Sequence, residues 1–170
     1  MSANTLPLPP GAIFRPSRFD TNSSLRKAFN TDLGRIYTEN GKRYVLCKAA
    51  GALSAPGGKL VVTALDTTSK LPTWVVDTTT TANNHLAVGI IPRTLTEALA
   101  AGDIFLVQLS GPAEVISAGA ITAGGLIGSS TSAGKVDDAT VTAGVGAVGV
   151  ALEAAAGADE IVAVLLKGLW

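Results

Sequence analysis

The C-terminal third of the chain is a series of short apolar runs separated by turns at intervals of about ten residues. Gly, Ser or Ala-Gly pairs mark each separation, and these residues favour turns because they tolerate or stabilise backbone conformations that other residues avoid. This cadence is typical of a β-sandwich or a small barrel. The runs are AEVISAG, AITAGGLIGSS, GKVDDATV, GAVGVALEAA and DEIVAVLLKG.

The middle of the chain also predicts strands. RIYTENGKRYVLCK places Asn40-Gly41 between two strand-like runs, and an Asn-Gly pair in that position is the strongest short-range hairpin signal. Four further runs are rich in β-branched and other apolar residues. We expect the last of them to be buried on both faces, because it is continuously apolar. These runs are GGKLVVTALD, TWVVD, HLAVGIIP and IFLVQLSG.

One segment, TLTEALAAGD, predicts a short helical turn instead of a strand. Thr94 and Glu97 fit a capping box, and Gly102 fits a helix C-cap. No other segment predicts a helix.

The strand GAVGVALEAA is expected to separate large and small side chains. Alternation along a strand predicts that Val148, Val150 and Leu152 share one face, with Gly149 and Ala151 on the other. Small residues on a strand face allow another backbone to approach closely.

The first 34 residues predict an extended arm that precedes a single β-rich domain at 35–170. Four prolines fall within residues 7–16, and proline, which has a fixed φ and no N–H, excludes a helix or a central strand there. Apolar residues among them suggest that the arm docks on a neighbour in an assembly, although an unstructured terminus is an open alternative. The chain as a whole therefore predicts an all-β fold: a small glycine-rich β-barrel or sandwich with an extended N-terminal arm and at most one short helix.

Low charge is the main constraint that composition places on function. Charged residues make up 15% of the chain and apolar residues 47%, whereas about a quarter of the residues are charged in an average soluble protein. An oligomer or a shell would explain such a surface better than a free monomer. No apolar run approaches the ~20 residues of a membrane span, the N-terminus lacks the pattern of a signal peptide, and a single cysteine suits a reducing cytosol.

The charges are unevenly distributed along the chain. Residues 1–59 carry nine Lys and Arg against three acids, a net charge of +6, and residues 60–170 carry four against ten, a net charge of −6. Such a polar chain can associate head to tail or lay a basic arm on an acidic partner. Nucleic acid is a weaker interpretation, because the basic residues are dispersed and are not interleaved with stacking aromatics.

No catalytic or metal-binding constellation emerges. His85 is the single histidine, follows the polar loop TTTTANN and is expected at the surface or in a turn. Cys47 lies in an apolar alternation and is expected to be a small buried hydrophobe, not a nucleophile. Asp137-Asp138 and Asp159-Glu160 are expected to be solvated turn carboxylates, because neither pair has the spacing of a calcium loop. Trp74 is expected to anchor the core or a sheet edge.

The segment Gly144–Gly149 matches the dinucleotide fingerprint G-x-G-x-x-G but is not expected to bind a cofactor. That motif functions within a βαβ unit, with a helix after the glycines and an acid about twenty residues further on. A β-like run follows here, and the position about twenty on holds Lys167, Gly168 or Leu169. We therefore predict no enzymatic activity, no cofactor and no metal site.

The sequence from about residue 100 to 166 resembles the decoration, or cement, proteins of tailed-bacteriophage heads, and residues 35–60 resemble them loosely. In that family a Gly-Asp pair precedes a strand, an Ala-Gly-Ile-x-Ala-Gly turn follows, and a VG-x-ALE hairpin closes the domain. One departure is the second glycine of AGG, where an Asp is more usual. The matching positions are Gly102-Asp103, Gly111, Ala118-Gly119, Ile121, Ala123-Gly124, Gly149, Ala151-Leu152-Glu153 and Val162–Leu166.

The resemblance implies a virion protein, made in the bacterial host cytoplasm, that adds to the outer capsid surface after expansion and clamps major capsid subunits. It implies the phage major capsid protein as the partner and a homotrimer as the oligomer, without nucleic-acid or membrane binding. Another virion structural protein (tail, neck or head-fibre base) is the open alternative, and a small ligand-binding barrel is a weaker one.

Two sets of contact residues follow as hypotheses. Aromatic and basic residues of the arm are predicted to bind the capsid, and small or terminal residues near the C-terminus are predicted to form the subunit contact; a C-terminal Leu-Trp is exposed unless it docks, and buried aromatics often anchor interfaces. The capsid-binding set is Phe14, Arg15, Arg18 and Phe19. The subunit-contact set is Gly146, Gly149, Leu169 and Trp170.

Overall fold

The computed structural model of the chain describes residues 8–15, 32–79, 81–82, 84–139 and 146–168. Within these ranges the chain forms eleven strands and no helix. The strands are β1 (Ile13–Phe14), β2 (Ile36–Glu39), β3 (Lys42–Ala49), β4 (Leu60–Leu65), β5 (Pro72–Asp77), β6 (Ala87–Ile90), β7 (Ile104–Ile116), β8 (Leu126–Ser129), β9 (Val136–Asp138), β10 (Ala147–Ala151) and β11 (Ile161–Lys167).

Five of the strands close into a barrel in the order β3-β5-β4-β6-β7, with β7 returning to pair with β3. All of these pairings are antiparallel except β3 with β5, which is parallel. Apolar side chains from all five strands and from the adjoining loops form one cluster, which includes Val45, Val61, Val76, Val88 and Phe105. The predicted all-β fold with a small barrel is confirmed.

The C-terminal strands extend this barrel through β7, in the order β7-β11-β10-β8-β9. Their inward side chains, among them Val115, Ile127, Val148 and Val162, pack with Leu60 and other residues of β4 and β6 in a second core. The predicted strands of the C-terminal third are therefore present. AEVISAG, predicted as a separate run, instead continues IFLVQLSG in the 13-residue strand β7.

Strand β7 belongs to both parts of the fold. Its first half pairs with β3 from Ile104 to Ser110, and its second half pairs with β11 from Ser110 to Ile116. Gly111 lies at the change of partner with φ of +91°, a conformation that glycine adopts without steric cost. The strand can therefore change neighbours without ending.

The hairpin predicted at Asn40-Gly41 is confirmed. Strands β2 and β3 pair antiparallel with Glu39 opposite Lys42, which leaves a two-residue loop. Asn40 and Gly41 have φ of 49° and 73°, as a type I′ turn requires.

The helical turn predicted from Thr94 and Glu97 is wrong. Leu99 instead forms a β-bridge with Leu53, with N–H···O distances of 3.0 Å in both directions. The groups expected to cap the helix have other partners: the Thr94 hydroxyl donates to the Pro10 carbonyl, and the Glu97 carboxylate pairs with Arg15. The local pattern is overridden because long-range contacts satisfy the same groups.

The face assignment predicted for GAVGVALEAA is wrong for Val148 alone, since Val150 and Leu152 share one face and Gly149 and Ala151 lie on the other. A register shift in β10 between Ala147 and Gly149 turns Val148 inward, while Val150 and Leu152 lie on the outer face. A bulge inserts one residue into the alternation, so that the residues after it change sides.

Candidate interaction surfaces

Residues 8–15, which we call the strap, lie against the outside of the barrel. Ile13 and Phe14 pair with Phe105 and Ile104 at the start of β7. Phe14 is only 7% exposed and packs with Tyr44 and other outward residues of β3 and β7. The strap therefore buries an apolar surface on the outside of β3 and β7 that would otherwise be exposed to water.

Arg15 binds the C-terminal end of the strap to residues 97–103, through two ion pairs and a hydrogen bond. Its guanidinium lies 2.6 Å from the Glu97 carboxylate and 3.4 Å from that of Asp103, and it donates to the Ala98 carbonyl at 3.0 Å. The Asp103 carboxylate is buried and also accepts the Ala100 N–H. A buried carboxylate requires such partners, because removing an ion from water is costly unless it is paired.

The strap also forms one wall of an open cleft of about 420 Å³. Gln108, within the cleft, directs its side-chain N–H groups to the Ser110 and Pro112 carbonyls, and the Arg93 guanidinium lies 3.9 Å from Glu114. The lining offers polar groups for binding but no histidine, no cysteine and no evident nucleophile–base pair. The lining residues are Pro10, Lys42, Tyr44, Ile90, Pro92, Arg93, Thr94, Gln108, Pro112, Ala113, Glu114 and Ala163.

Cys47 and His85, the cysteine and the histidine of the chain, do not line this cleft. Cys47 is fully buried in the barrel core, as expected, and burial raises the pKa of its thiol. His85 is exposed in the turn before β6, as expected. In the part of the chain that the structure describes, no group of three or more His, Cys, Asp or Glu side chains is placed to hold a metal ion.

The acidic pairs have structural partners, but only Asp159-Glu160 follows the predicted position at a turn, because Asp137 and Asp138 end strand β9. The Asp138 carboxylate accepts the Thr122 hydroxyl at 2.9 Å, and Asp159 lies 2.6 Å from the Lys135 ammonium. Across the described ranges, every buried side-chain polar atom has a hydrogen-bond partner.

A second outward surface, formed by the second half of β7 with β11 and β10, is mostly apolar, and no segment among the described residues packs over it as the strap does over the first half. Leu165 lies between Val150 and Pro112, Ala163 lies opposite Glu114, and the outer residues at the end of the sheet are also apolar. An antiparallel sheet that faces water normally carries polar side chains at such positions. We call this surface the C-terminal face, and its residues are Pro112, Glu114, Ile116, Val150, Leu152, Ile161, Ala163 and Leu165.

The predicted capsid-binding residues are only partly placed by the structure. Phe14 and Arg15 contact the chain's own barrel, as described above. Arg18 and Phe19 lie outside the described residues. Their role in capsid binding, like that of Phe14 and Arg15, stays a prediction.

The predicted subunit-contact residues are likewise divided. Gly149 lies in β10, where a Cβ atom would come within 2.5 Å of the Leu165 carbonyl oxygen, so its lack of a side chain serves packing within the chain. Gly146 is buried just before β10, and Leu169 and Trp170 lie outside the described residues. The exposed residues of the C-terminal face were not predicted, although apolar side chains at successive positions of IVAVLL could have indicated a strand that is apolar on both faces.

Comparisons with known proteins identify the fold. No protein-family model matches the sequence, and no curated protein matches it. Among solved structures, the chain is similar to the head fiber gp8.5 N base in bacteriophage phi29, with a TM-score of 0.50 and 13% identity. The match covers 73% of this chain and 92% of that one. Within the described ranges, no helix is long and apolar enough to cross a membrane.

Proposed function

We propose that the chain is a structural protein of a phage virion that binds the outside of the assembled head and stabilises contacts between major capsid subunits. The observation that carries this proposal is the similarity in fold to the base of a head fibre, over most of both chains. The resemblance of residues 100–166 to decoration proteins and the low charge of the chain support it independently. The chain acts by binding alone, without catalysis, cofactor or metal.

The mechanism is mass action on assembly. A protein that binds the assembled shell but not the free capsid subunit stabilises the shell by its binding free energy. Many identical copies multiply that effect, and association of the copies as a homotrimer makes each attachment multivalent. The partner is the phage major capsid protein, and neither nucleic acid nor membrane takes part.

The second candidate function is the base of a head fibre, and the same structural similarity favours it. A fibre base and a cement protein would both bind the outside of the head. They differ in what lies above them, because a fibre base carries a further domain or protein away from the shell.

The copy number of this chain in purified particles distinguishes these functions. Quantitative mass spectrometry would measure its ratio to the major capsid protein. A fixed ratio with copies in the hundreds supports decoration of the head, and fewer copies confined to specific vertices favour a fibre base. Copies only at the neck or tail would contradict head binding, and absence from the particle would contradict the virion assignment.

The capsid-binding hypothesis for the arm needs a variant that leaves the strap in place. Deletion of residues 2–24 would remove Phe14 from its seat on the barrel, so a loss of binding would not separate contact from folding. The paired substitution Arg18→Ala and Phe19→Ala avoids the strap. We expect it to reduce retention on isolated heads in a salt-dependent manner, and unchanged retention would assign capsid binding to another surface.

A further inference from the structure

The large exposed hydrophobic residues of the described chain fall in two places. Each is between 40% and 64% exposed, and such residues are informative where they form a contiguous patch. Two lie at the tip between β4 and β5, residues 65–71, which we call the hairpin tip. Three lie on the C-terminal face. The first pair is Leu65 and Leu71, and the second set is Leu152, Ile161 and Leu165.

The C-terminal face has the character of an interface that lacks its partner. Its leucine and isoleucine side chains lie on three adjacent strands, because β11 pairs with β7 on one side and with β10 on the other. Contiguous apolar surface on a soluble protein marks a protein contact more often than isolated exposed residues do.

The charges that border this face are of both signs. Three exposed acids are Glu114, Glu153 and Glu160. Glu114 lies 3.9 Å from the Arg93 guanidinium, and Lys167 is exposed at the end of β11. Glu153 and Glu160 accept backbone N–H groups of Ala163 and Ala156, and among the described residues neither has a cationic partner. Glu153 and Glu160 therefore favour a partner that brings positive charge to an apolar centre.

The hairpin tip presents two exposed leucines, Leu65 and Leu71, on either side of a polar turn that contains the Asp66 carboxylate and the Lys70 ammonium. The Asp66 carboxylate accepts the N–H groups of Thr68 and Ser69 and the Ser69 hydroxyl, at 2.6–3.0 Å. Lys70 has φ of +59°, and its ammonium donates to the Thr67 carbonyl, which leaves two further donors. Leu71, the most exposed of the five hydrophobic residues, follows directly. The tip thus presents Lys70 and Leu71 side by side, without requiring the loop to reorganise on binding.

We propose that the hairpin tip of one copy docks on the C-terminal face of a second copy, with Leu71 on the apolar centre and Lys70 towards the acids that border it. A two-fold contact of the face with itself would bring the acids of both copies to one interface. A head-to-tail contact between different surfaces instead leaves a free tip at one end of the row and a free face at the other, and these two meet when the row closes into a ring. This contact rests on the self-association in the proposed function but not on capsid binding.

Two paired substitutions test the contact on the purified full-length chain. Leu65→Ser with Leu71→Ser disables the tip, and Leu152→Ser with Leu165→Ser disables the face. Light scattering after size-exclusion chromatography should give the wild type a molar mass about three times 17.1 kDa and each variant the mass of a monomer. Thr38→Ser, exposed in β2 outside both surfaces, is the matched control and should keep the wild-type mass.

Mixing the two variants distinguishes a head-to-tail contact from other arrangements. One chain retains its face and the other its tip, so an equimolar mixture can form one intact contact and should give a 1:1 dimer. A monomeric wild type, a tip variant that keeps the wild-type mass, a face variant that does so, or a mixture that stays monomeric would each overturn the proposal. Binding of a monomeric wild type to heads would support the proposed capsid binding while contradicting the self-association.

Cross-linking provides a readout that does not depend on the stability of the serine variants. Chains carrying Leu71→Cys and Leu165→Cys are mixed and oxidised, and a disulfide-linked dimer is expected between the two kinds of chain. Native Cys47 does not compete, because it is fully buried. Thr38→Cys mixed with Leu165→Cys is the control and should give no cross-link; equal yields in the two mixtures would contradict the contact.

Discussion

The two halves of β7 both present apolar side chains to the outside of the molecule, but only the first half is covered. Ile104 and Leu106 lie beneath Phe14 of the strap and Tyr37 of β2. Beyond Gly111, the outward residues of β7 and its neighbour β11 have no such cover in the described chain, and Leu165 remains exposed. The outer side chains of one strand are therefore buried by the strap in its first half and left partly exposed to solvent in its second half, among the described residues.

The comparison indicates that the apolar outer face of β7 has a structural role in its first half. Eight residues of the chain, the strap, bury that half and are held there by polar contacts of Pro10 and Arg15. The C-terminal face, on the same strand, is the surface on which the proposed contact places a second copy of the chain. The predictions below test the covered half directly and contrast it with the open one.

The largest effect is expected from Phe14→Ala. Removing a buried phenylalanine side chain costs about 3–5 kcal/mol in a well-packed core, and less where water can enter; for Phe14, at the edge of its cluster, we expect a loss of about 2–4 kcal/mol in the free energy of unfolding. Urea denaturation would measure it. Leu165→Ala, at low protein concentration, is the contrast and should change the stability by less than about 0.5 kcal/mol.

One result would contradict this expected difference in stability. If Phe14→Ala and Leu165→Ala cost the same, then the strap would not stabilise the barrel, and the distinction between covered and open halves would be lost. A loss for Leu165→Ala that appears only at high protein concentration would instead sharpen the comparison, because it would report association.

The ion pair of the strap should show a smaller but specific effect. Arg15→Met leaves the Asp103 carboxylate buried without its cation, at a cost of about 1–3 kcal/mol in the free energy of unfolding. Glu97→Gln is the matched control: Glu97 also pairs with Arg15, but it is exposed, so its removal should cost less than about 0.5 kcal/mol. Thermal or urea unfolding of both variants checks the order, and the reverse order would assign the fastening role to Glu97.

Gly149→Ala should destabilise the sheet beneath the C-terminal face. The added Cβ would lie 2.5 Å from the Leu165 carbonyl oxygen, and an inserted methyl group that forces the backbone to shift costs about 1–3 kcal/mol. Gly119→Ala is the control, because its Cβ would meet nothing closer than 3.8 Å. Equal stability of the two variants in urea unfolding would show that β10 and β11 can separate without cost.

The sequence patterns predicted local features well. The Asn40-Gly41 hairpin and the apolar strands follow from signals within ten residues, so the barrel class was accessible from the sequence. The helical turn at Thr94 was not predicted correctly, because the groups that would have capped it bind Pro10 and Arg15, which are about 80 residues away in the chain. A local helical preference is overridden when a segment distant in sequence forms hydrogen bonds or ion pairs with the groups that would have capped the helix.

The interaction surfaces were predicted less well, for two physical reasons. The bulge in β10 places Val148 in the core and Val150 on the outer face, and a one-residue shift of this kind leaves no sequence signature in an alternating apolar run. The extended arm predicted for residues 1–34 stays a prediction, and its described part, the strap, contains a turn at Pro10-Gly11 before β1. That Phe14 seats on the chain's own barrel depends on the pairing of β1 with β7, which no local pattern encodes.

The smallest effect concerns the hairpin tip, the projection proposed to cover the open half. Hydrogen bonds from the Ser69 backbone, the Ser69 hydroxyl and the Thr68 backbone lower the pKa of Asp66 below its ordinary value of 3.8. Since the folded-state pKa lies below the unfolded one, this carboxylate stabilises the fold above pH 3.8, and the contribution is lost as the pH falls through the folded value. Asp66→Asn should therefore have a lower free energy of unfolding than the wild type near neutral pH. The two free energies should converge as the pH falls and the wild-type carboxylate becomes protonated. An NMR titration of the Asp66 carboxyl checks the direction, and a pKa at or above 3.8 would mean that the tip is not held by these bonds in solution and is less suited to dock without reorganising.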